Sequence, residues 1–102
     1  MIADYLFTGV ENARTGGELA KLLHCERRDI VAGVSRERRQ GQPIIASNDK
    51  GCPGYYLAET AEEIEIFCNS LERRAGEIHI TRNALLHTAA QMQEDGQCTI
   101  NR

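Results

Sequence analysis

The chain has 102 residues, a formal net charge of −3 and a hydrophobic fraction of 41%. This length suits one small domain with a helical extension and excludes a large catalytic cleft. No run approaches the roughly 18 apolar residues of a membrane span, and the first residues carry no readable secretory signal. We therefore expect a soluble, cytoplasmic protein with no membrane partner.

The cysteine pattern argues against a preset metal or redox site. The four cysteines lie far apart and form no C-x-x-C pair: Cys25, Cys52, Cys68 and Cys98. They are expected to be free thiols, with Cys25 and Cys68 in apolar packing. A metal or redox sensor in which His24 and Cys25 join Cys52 or His79 is a distant alternative, and we expect no metal and no cofactor.

The charges are unevenly distributed along the chain. Residues 14–50 carry eight Lys or Arg against five acids, whereas residues 51–102 carry four basic residues against eight acids. A basic segment inside an acidic chain is consistent with an electrostatic footprint for nucleic acid, but a run of charges is more often simply a solvated face. The basic segment coincides with the helices described next, which gives this asymmetry its weight.

Two helices are predicted before residue 24. A short first helix covers Ile2 to about Phe7, with Ile2 and Leu6 facing inward and Tyr5 as a third candidate. Thr15 then starts the second helix, because Glu18 three residues later completes a capping box. Its expected buried face consists of Leu19, Ala20, Leu22 and Leu23.

A turn at residues 24–26 leads to a third helix from about Arg27 to Gln40, which ends at Gly41. The 100° step per residue places Ile30, Gly33 and Val34 on one side of this helix. On the opposite side lies a strip of small and basic residues, with Arg36 beside it: Arg28, Ala32, Ser35 and Arg39. Arginine can pair bidentately with guanine, and small residues let a helix approach the bases.

A β-hairpin is predicted after this helix. Pro43 to Ser47 forms one strand and Tyr55 to Ala58 the other, joined by a loop with Lys50 at or near its tip. Lys50 could lie against the DNA backbone, and a plain structural hairpin that completes the core fits the sequence about equally well. The predicted DNA contacts are Arg27, Arg28, Ala32, Ser35, Arg36, Arg39 and Lys50.

The segment from Thr15 to Ala58 resembles the winged helix-turn-helix domains of bacterial and phage regulators, of the type found in the biotin operon repressor. The likeness lies in E-L-A-x-x-L (residues 18–23), R-x-x-G-x-P-I (residues 38–44) and the terminal G-Y-Y-L-A. The resemblance implies Leu where this chain has Glu37, which lies within about 20° of the Ile30 direction. The carboxylate predicts loose packing there, or a pair with Arg38 or another basic group.

The last part of the chain predicts one long helix from Ala61 to about Gln93, opened by a capping box at Thr60. Apolar residues recur every seven positions and form a dimerisation seam: Ile64, Leu71, Ile78, Leu85 and Met92. Cys68, Ala75, Arg82 and Ala89 follow the first four of them by four residues. The alternative is a tail that folds back as two shorter helices with a break near Gly76.

The sequence thus predicts a mainly α fold with a small β-hairpin, namely a winged helix-turn-helix domain (residues 1–58) followed by a long helical tail (residues 59–102) with a frayed end. The predicted function is sequence-specific binding of double-stranded DNA by a homodimeric transcriptional regulator or a phage or mobile-element accessory protein. The alternative is a winged-helix module that binds a protein partner and not DNA. The sequence contains no recognisable arrangement of a catalytic nucleophile with its partners, no P-loop and no dinucleotide-binding motif. We therefore expect no enzyme and no small-molecule substrate.

Overall fold

The computed structural model describes residues 1–47 and 49–94. Two short 3₁₀ helices come first, Ile2–Tyr5 and Val10–Asn12. They are followed by α1 (Gly16–Leu23), α2 (Arg27–Arg39), β1 (Ile44–Ser47), β2 (Gly54–Leu57) and α3 (Ala61–Glu94). The predicted fold class is confirmed: a mainly helical chain with a small hairpin and a long C-terminal helix. The chain divides into two units, Met1–Phe67 and the residues from Cys68 onward.

The core of the first unit lies between the first 3₁₀ helix, α1, α2 and the hairpin. Its innermost side chains are Leu19, Ile30, Val34 and Ile44, surrounded by Ile2, Ala3, Leu6 and Ala20. Leu23, Tyr55 and Leu57 pack against this cluster. Burial of these apolar surfaces is the main stabilising contribution to a domain of this size.

The two strands are antiparallel, with Ile44 opposite Leu57 and Ser47 opposite Gly54. The segment before α1 adds to the free edge of β2. The Arg14 N–H donates to the Tyr55 carbonyl at 2.9 Å, and the Tyr55 N–H donates to the Arg14 carbonyl at 2.7 Å. The hairpin is thereby tied to the entry of α1, since both backbone groups of Tyr55 on that side are paired.

The predicted capping box and turn around α1 are present. The Thr15 hydroxyl accepts from the Glu18 N–H at 3.1 Å, and the Glu18 carboxylate accepts from the Thr15 N–H at 2.8 Å. After α1 the chain turns at His24, whose φ of 55° is left-handed. The Cys25 N–H then donates to the Ala20 carbonyl at 3.0 Å and closes the turn.

Several predicted burial positions are wrong. Leu22 is 46% exposed, because the buried side of α1 is centred on Leu19 and Ala20, with Leu23 half-buried. Tyr5 is 42% exposed and Ala3 is buried instead, since a 3₁₀ turn of three residues puts Ala3 and Leu6 on one side.

The cysteines also correct the sequence interpretation. Cys25 lies in the exposed turn after α1, and Cys68 lies on exposed α3. The apolar packing expected for these two thiols is therefore wrong. Cys98 lies outside the described residues, as does the predicted frayed end of the chain.

α3 is one helix that passes through Gly76 without a break, so the two-helix alternative is wrong. At its start the Thr60 hydroxyl accepts from the Glu63 N–H at 3.2 Å, as the predicted capping box requires. The Glu63 carboxylate accepts from the Glu59 N–H at 3.1 Å instead of the Thr60 N–H. None of the helices within residues 1–47 and 49–94 combines the length and apolar character needed to cross a membrane.

Candidate nucleic-acid interface

The orientation of α2 is set by a buried side that contains Ile30, Gly33 and Val34, as predicted. Ile2 packs closely on Gly33: a Cβ at this position would lie 2.5 Å from Ile2 Cδ1, so a larger residue would have to displace the Ile2 side chain. The first 3₁₀ helix therefore sits directly on the α2 backbone at Gly33. The opposite side of the helix faces solvent.

Glu37 is the fourth buried residue of α2, only 2% exposed. Its Oε2 accepts from the Ile2 N–H at 2.7 Å, and its Oε1 accepts from the Ala3 N–H at 2.9 Å. The expectations of loose packing or of a pair with a basic side chain are both wrong. The carboxylate instead satisfies the two backbone donors at the start of the first 3₁₀ helix, which have no partner within that helix.

An acidic residue in the first turn of α2, Asp29, hydrogen-bonds to the backbone at the start of the helix. The Asp29 carboxylate accepts from the Glu26 N–H at 3.0 Å. A carboxylate in the first turn is also favourable at the positive end of the helix dipole. α2 therefore has a defined first turn although Glu26 stands where Ser or Thr is the usual cap.

The predicted contact strip is on the solvent side of α2. Arg28, Ala32 and Arg39 are exposed and Ser35 is half-buried, while Arg27 and Arg36 flank the strip and are exposed. Arg28 Nε lies 3.2 Å from Glu26 Oε1, but both side chains are largely in solvent. An ion pair of this kind contributes between about 0 and 1 kcal/mol, so Arg28 can exchange it for a phosphate or a base.

Arg38 is a basic residue of α2 that makes tertiary contacts within the first unit. Its Nε donates to the Ile44 carbonyl at 2.7 Å, and its guanidinium carbon lies 5.0 Å from the centre of the Phe67 ring. Arg38 thus fastens α2 to β1 and to the start of α3 within the first unit. This agrees with its absence from the predicted contact strip.

Lys50 is exposed in the turn between β1 and β2, as predicted. The turn is held by local hydrogen bonds: the Ser47 hydroxyl accepts from the Asp49 N–H, and Asp49 Oδ1 accepts from the Gly51 N–H, both at 2.9 Å. An Asx turn of this kind gives the loop a defined shape. Lys50 therefore lies within the turn that the Asp49 carboxylate and the Gly51 N–H close.

Sequence reasoning missed two features of this surface. Val31 is 58% exposed on α2, and its helical position is about 40° from that of Ser35, so the 100° step could have found it. A cleft of about 280 Å³ also lies beside Arg27. Its other lining residues come from the start of α1 and from the hairpin: Thr15, Gly16, Ala46, Ser47, Pro53, Gly54 and Tyr55.

The predicted dimerisation residues are on α3, which has no buried residue among those described. Ile78 and Leu85 are about two-thirds exposed, and Ile64, Leu71 and Met92 are each just over one-third exposed. Among the described residues, no three or more His, Cys, Asp or Glu side chains come together in a group that could hold a metal ion.

Comparison with known proteins returned no matching family, no matching curated protein and no matching solved structure. The function must therefore be inferred from the geometry and chemistry of this chain.

Proposed function

We propose that the chain is a winged helix-turn-helix protein that binds double-stranded DNA sequence-specifically. α2 enters the major groove, where Arg28, Ser35 and Arg39 contact base edges and Ala32 allows close approach. Arg27, Arg36 and Lys50 contact phosphates on either side. The protein acts in the cytoplasm as a homodimeric transcriptional regulator or a phage or mobile-element accessory protein.

The observation that carries this proposal is the division of charge on α2. Four arginines of the helix are exposed, Arg27, Arg28, Arg36 and Arg39, whereas Glu37 is turned into the core. The exposed residues of α2 thus carry four arginines against one acid, Asp29, because Glu37 is buried. A net acidic chain with one concentrated basic surface can still bind DNA, because phosphates interact with the local field.

The hairpin supports the same proposal. Its backbone is tied to the entry of α1 through Arg14 and Tyr55, so the loop with Lys50 has a fixed origin beside Arg27 and α2. A recognition helix with a basic loop next to it can span a groove and the adjoining backbone. In this arrangement the recognition helix supplies specificity for the DNA sequence, and the basic loop supplies affinity for the DNA backbone.

Fluorescence anisotropy with labelled duplexes tests the proposal. The protein is titrated against random-sequence DNA and against fragments that flank its own gene, between about 50 and 200 mM salt. We expect the logarithm of the association constant to fall linearly with the logarithm of salt concentration, and one fragment to bind more tightly than random DNA. Absence of binding at the lowest salt would overturn the proposal and favour the protein-interaction alternative.

A matched pair of variants distinguishes contacts made by the proposed interface from a general effect of positive charge on DNA binding. Arg28→Ala with Arg39→Ala removes two positive charges from the strip on α2. Lys21→Ala with Arg73→Ala removes the same charge from exposed positions on α1 and α3. Equal loss of binding in the two double variants would place DNA elsewhere on the protein.

A further inference from the structure

α3 presents two parallel rows of residues in heptad spacing, and both rows are exposed. One row is large and apolar: Ile64, Leu71, Ile78, Leu85 and Met92. The other row precedes each of these by three residues and is small except at one position: Ala61, Cys68, Ala75, Arg82 and Ala89. Rows spaced three and four residues apart form the seam of a two-helix coiled coil.

We propose that a second copy of the chain covers this seam with its α3 antiparallel to the first. The inference rests on the homodimer of the proposed function and adds the orientation of the two helices. A second copy fits this surface because, in the antiparallel orientation, the large row of one α3 meets the small row of the other and acidic residues meet basic ones.

Residue size favours the antiparallel orientation. In a parallel pair, equivalent positions meet, so Ala75 would face Ala75, and Arg82 would face Arg82 inside the seam. In the antiparallel pair each core layer combines one member of the large row with one member of the other row. The layers are Ala61 with Met92, Ile64 with Ala89, Cys68 with Leu85, Leu71 with Arg82, and Ala75 with Ile78 of the second copy.

This pairing avoids the two defects of the parallel arrangement. Large-to-small layers fill space evenly, whereas alternate small-to-small layers leave voids that lose packing contacts. Arg82 faces the aliphatic Leu71 instead of a second guanidinium. Its long stem can cover that leucine while the charged end remains in solvent beside Glu72 of the second copy.

Charge along α3 favours the same orientation. Residues 61–72 contain four acids and no basic residue, whereas residues 73–93 contain three arginines, two histidines and one acid. In the antiparallel register residues 61–72 of each helix lie along residues 81–92 of the other, which contain Arg82 and His87 and no acid, and Glu72 flanks the seam opposite His79. A parallel pair would set the acidic parts side by side, which is unfavourable at low ionic strength.

The orientation has a consequence for DNA recognition. At 1.5 Å per residue, the Ala61 positions of the two copies stand about 45 Å apart in the antiparallel pair. In a parallel pair they would be adjacent. The chains of the two DNA-reading units would therefore join the helix pair at its opposite ends.

Cysteine crosslinking tests the proposal, because Cys68 lies in the seam. Cys25→Ser, Cys52→Ser and Cys98→Ser leave Cys68 as the single thiol. In the antiparallel pair two Cys68 residues are about 25 Å apart along the helices, beyond disulfide reach. We expect no covalent dimer on oxidation of this variant. Adding Leu85→Cys is expected to give a covalent dimer, in which peptide mass spectrometry finds Cys68 of one copy linked to the thiol introduced at position 85 of the other.

The control variant adds Ile80→Cys instead, at a position that is 70% exposed and lies outside both rows. It should remain monomeric on a non-reducing gel. A Cys68–Cys68 disulfide would overturn the antiparallel orientation, and a monomer in sedimentation equilibrium at about 100 μM would overturn the dimer, since that concentration should saturate a complex of ordinary micromolar affinity.

A second measurement guards against variants that fold poorly. Nitroxide labels on Cys68 of the single-thiol protein should be separated by about 25 Å, the axial distance over 17 residues. A label distance near 10 Å would indicate parallel helices and overturn the proposal. Because neither measurement uses DNA, failure of the antiparallel pair and failure of DNA binding are recorded separately.

Discussion

The Glu37 carboxylate accepts a hydrogen bond from the Ile2 N–H at 2.7 Å, across 35 residues of sequence and in the core of the first unit. Its second oxygen accepts from the Ala3 N–H at 2.9 Å. One side chain thus joins the start of the chain to the middle of α2. The same contact removes an acid from the helix that carries the exposed arginines, so folding and the electrostatics of the surface are linked through Glu37.

Glu37→Gln should lower the free energy of unfolding by about 2 kcal/mol. A glutamine has one acceptor oxygen, so its amide N–H₂ would face one of the two backbone donors and leave that donor unsatisfied. Urea unfolding followed by circular dichroism measures the change. Glu11→Gln, at an exposed glutamate, is the control and should change stability by less than about 0.5 kcal/mol. An equal loss in both variants would contradict this account.

Gly54→Ala should destabilise the fold by about 3 kcal/mol or more. Gly54 has a φ of 117°, which L side chains rarely adopt, and a Cβ there would collide with the Arg14 backbone where it pairs with β2. Gly41→Ala is the matched control, because φ is 100° there but nothing lies within 4 Å of the Cβ position. It should cost only about 1 kcal/mol of strain. Equal melting temperatures of the two variants would show that the collision with the Arg14 backbone does not add to the destabilisation.

The α1 capping box should contribute a pH-dependent part of the stability. The backbone hydrogen bond from Thr15, and then the side-chain hydrogen bond with Thr15, lower the pKa of Glu18 below its ordinary 4.5. A carboxyl with a lowered folded-state pKa stabilises the fold above its unfolded pKa and loses that effect as pH falls through the folded value. The stability difference between wild type and Glu18→Gln should therefore shrink below about pH 4.5. A difference that stays constant from pH 7 to pH 3 would contradict this assignment.

Local signals were sufficient to predict the α-helices and the two strands of this fold, but not the 3₁₀ helix Val10–Asn12. The Thr15 capping box, Gly41 after α2 and the β-rich segments around Lys50 are each decided by residues close in sequence. The prediction for Glu37 is wrong because its partners, the Ile2 and Ala3 backbone donors, are distant in sequence. The prediction for Leu22 is wrong because the buried side of α1 depends on where α2 packs, and the periodicity of α1 alone does not contain that information.

The candidate interface was predictable to a similar extent. The 100° helical step correctly placed Arg28, Ala32 and Arg39 on the exposed side of α2, since the buried side was marked by Ile30 and Val34. The use of Arg38 as an anchor to Ile44 depends on how β1 returns to α2. That return is a tertiary feature, so the helical step could leave Arg38 out of the strip but could not identify the Ile44 carbonyl as its partner.

The strip on α2 predicts a loss of specificity when its arginines are removed. Arg28→Ala with Arg39→Ala should weaken binding to the preferred fragment by about 100-fold, because each bidentate base contact contributes about 1–3 kcal/mol of discrimination. Binding to random DNA should weaken less. Competition anisotropy measures the ratio, and circular dichroism checks the fold. If both DNAs lose affinity by the same factor, the arginines contact phosphates and not bases.

Lys50 should contribute affinity without specificity. Lys50→Ala removes an exposed positive charge from the hairpin loop, and the loop hydrogen bonds of Asp49 remain. The affinity for every duplex should fall by a similar factor, and the slope of log K against log salt should decrease by about 1, as expected for one lost phosphate contact. Lys21→Ala removes an exposed lysine from α1 and should leave the slope unchanged. A wild-type slope in Lys50→Ala would assign the hairpin a purely structural role, in which β1 and β2 complete the core and the loop does not touch DNA.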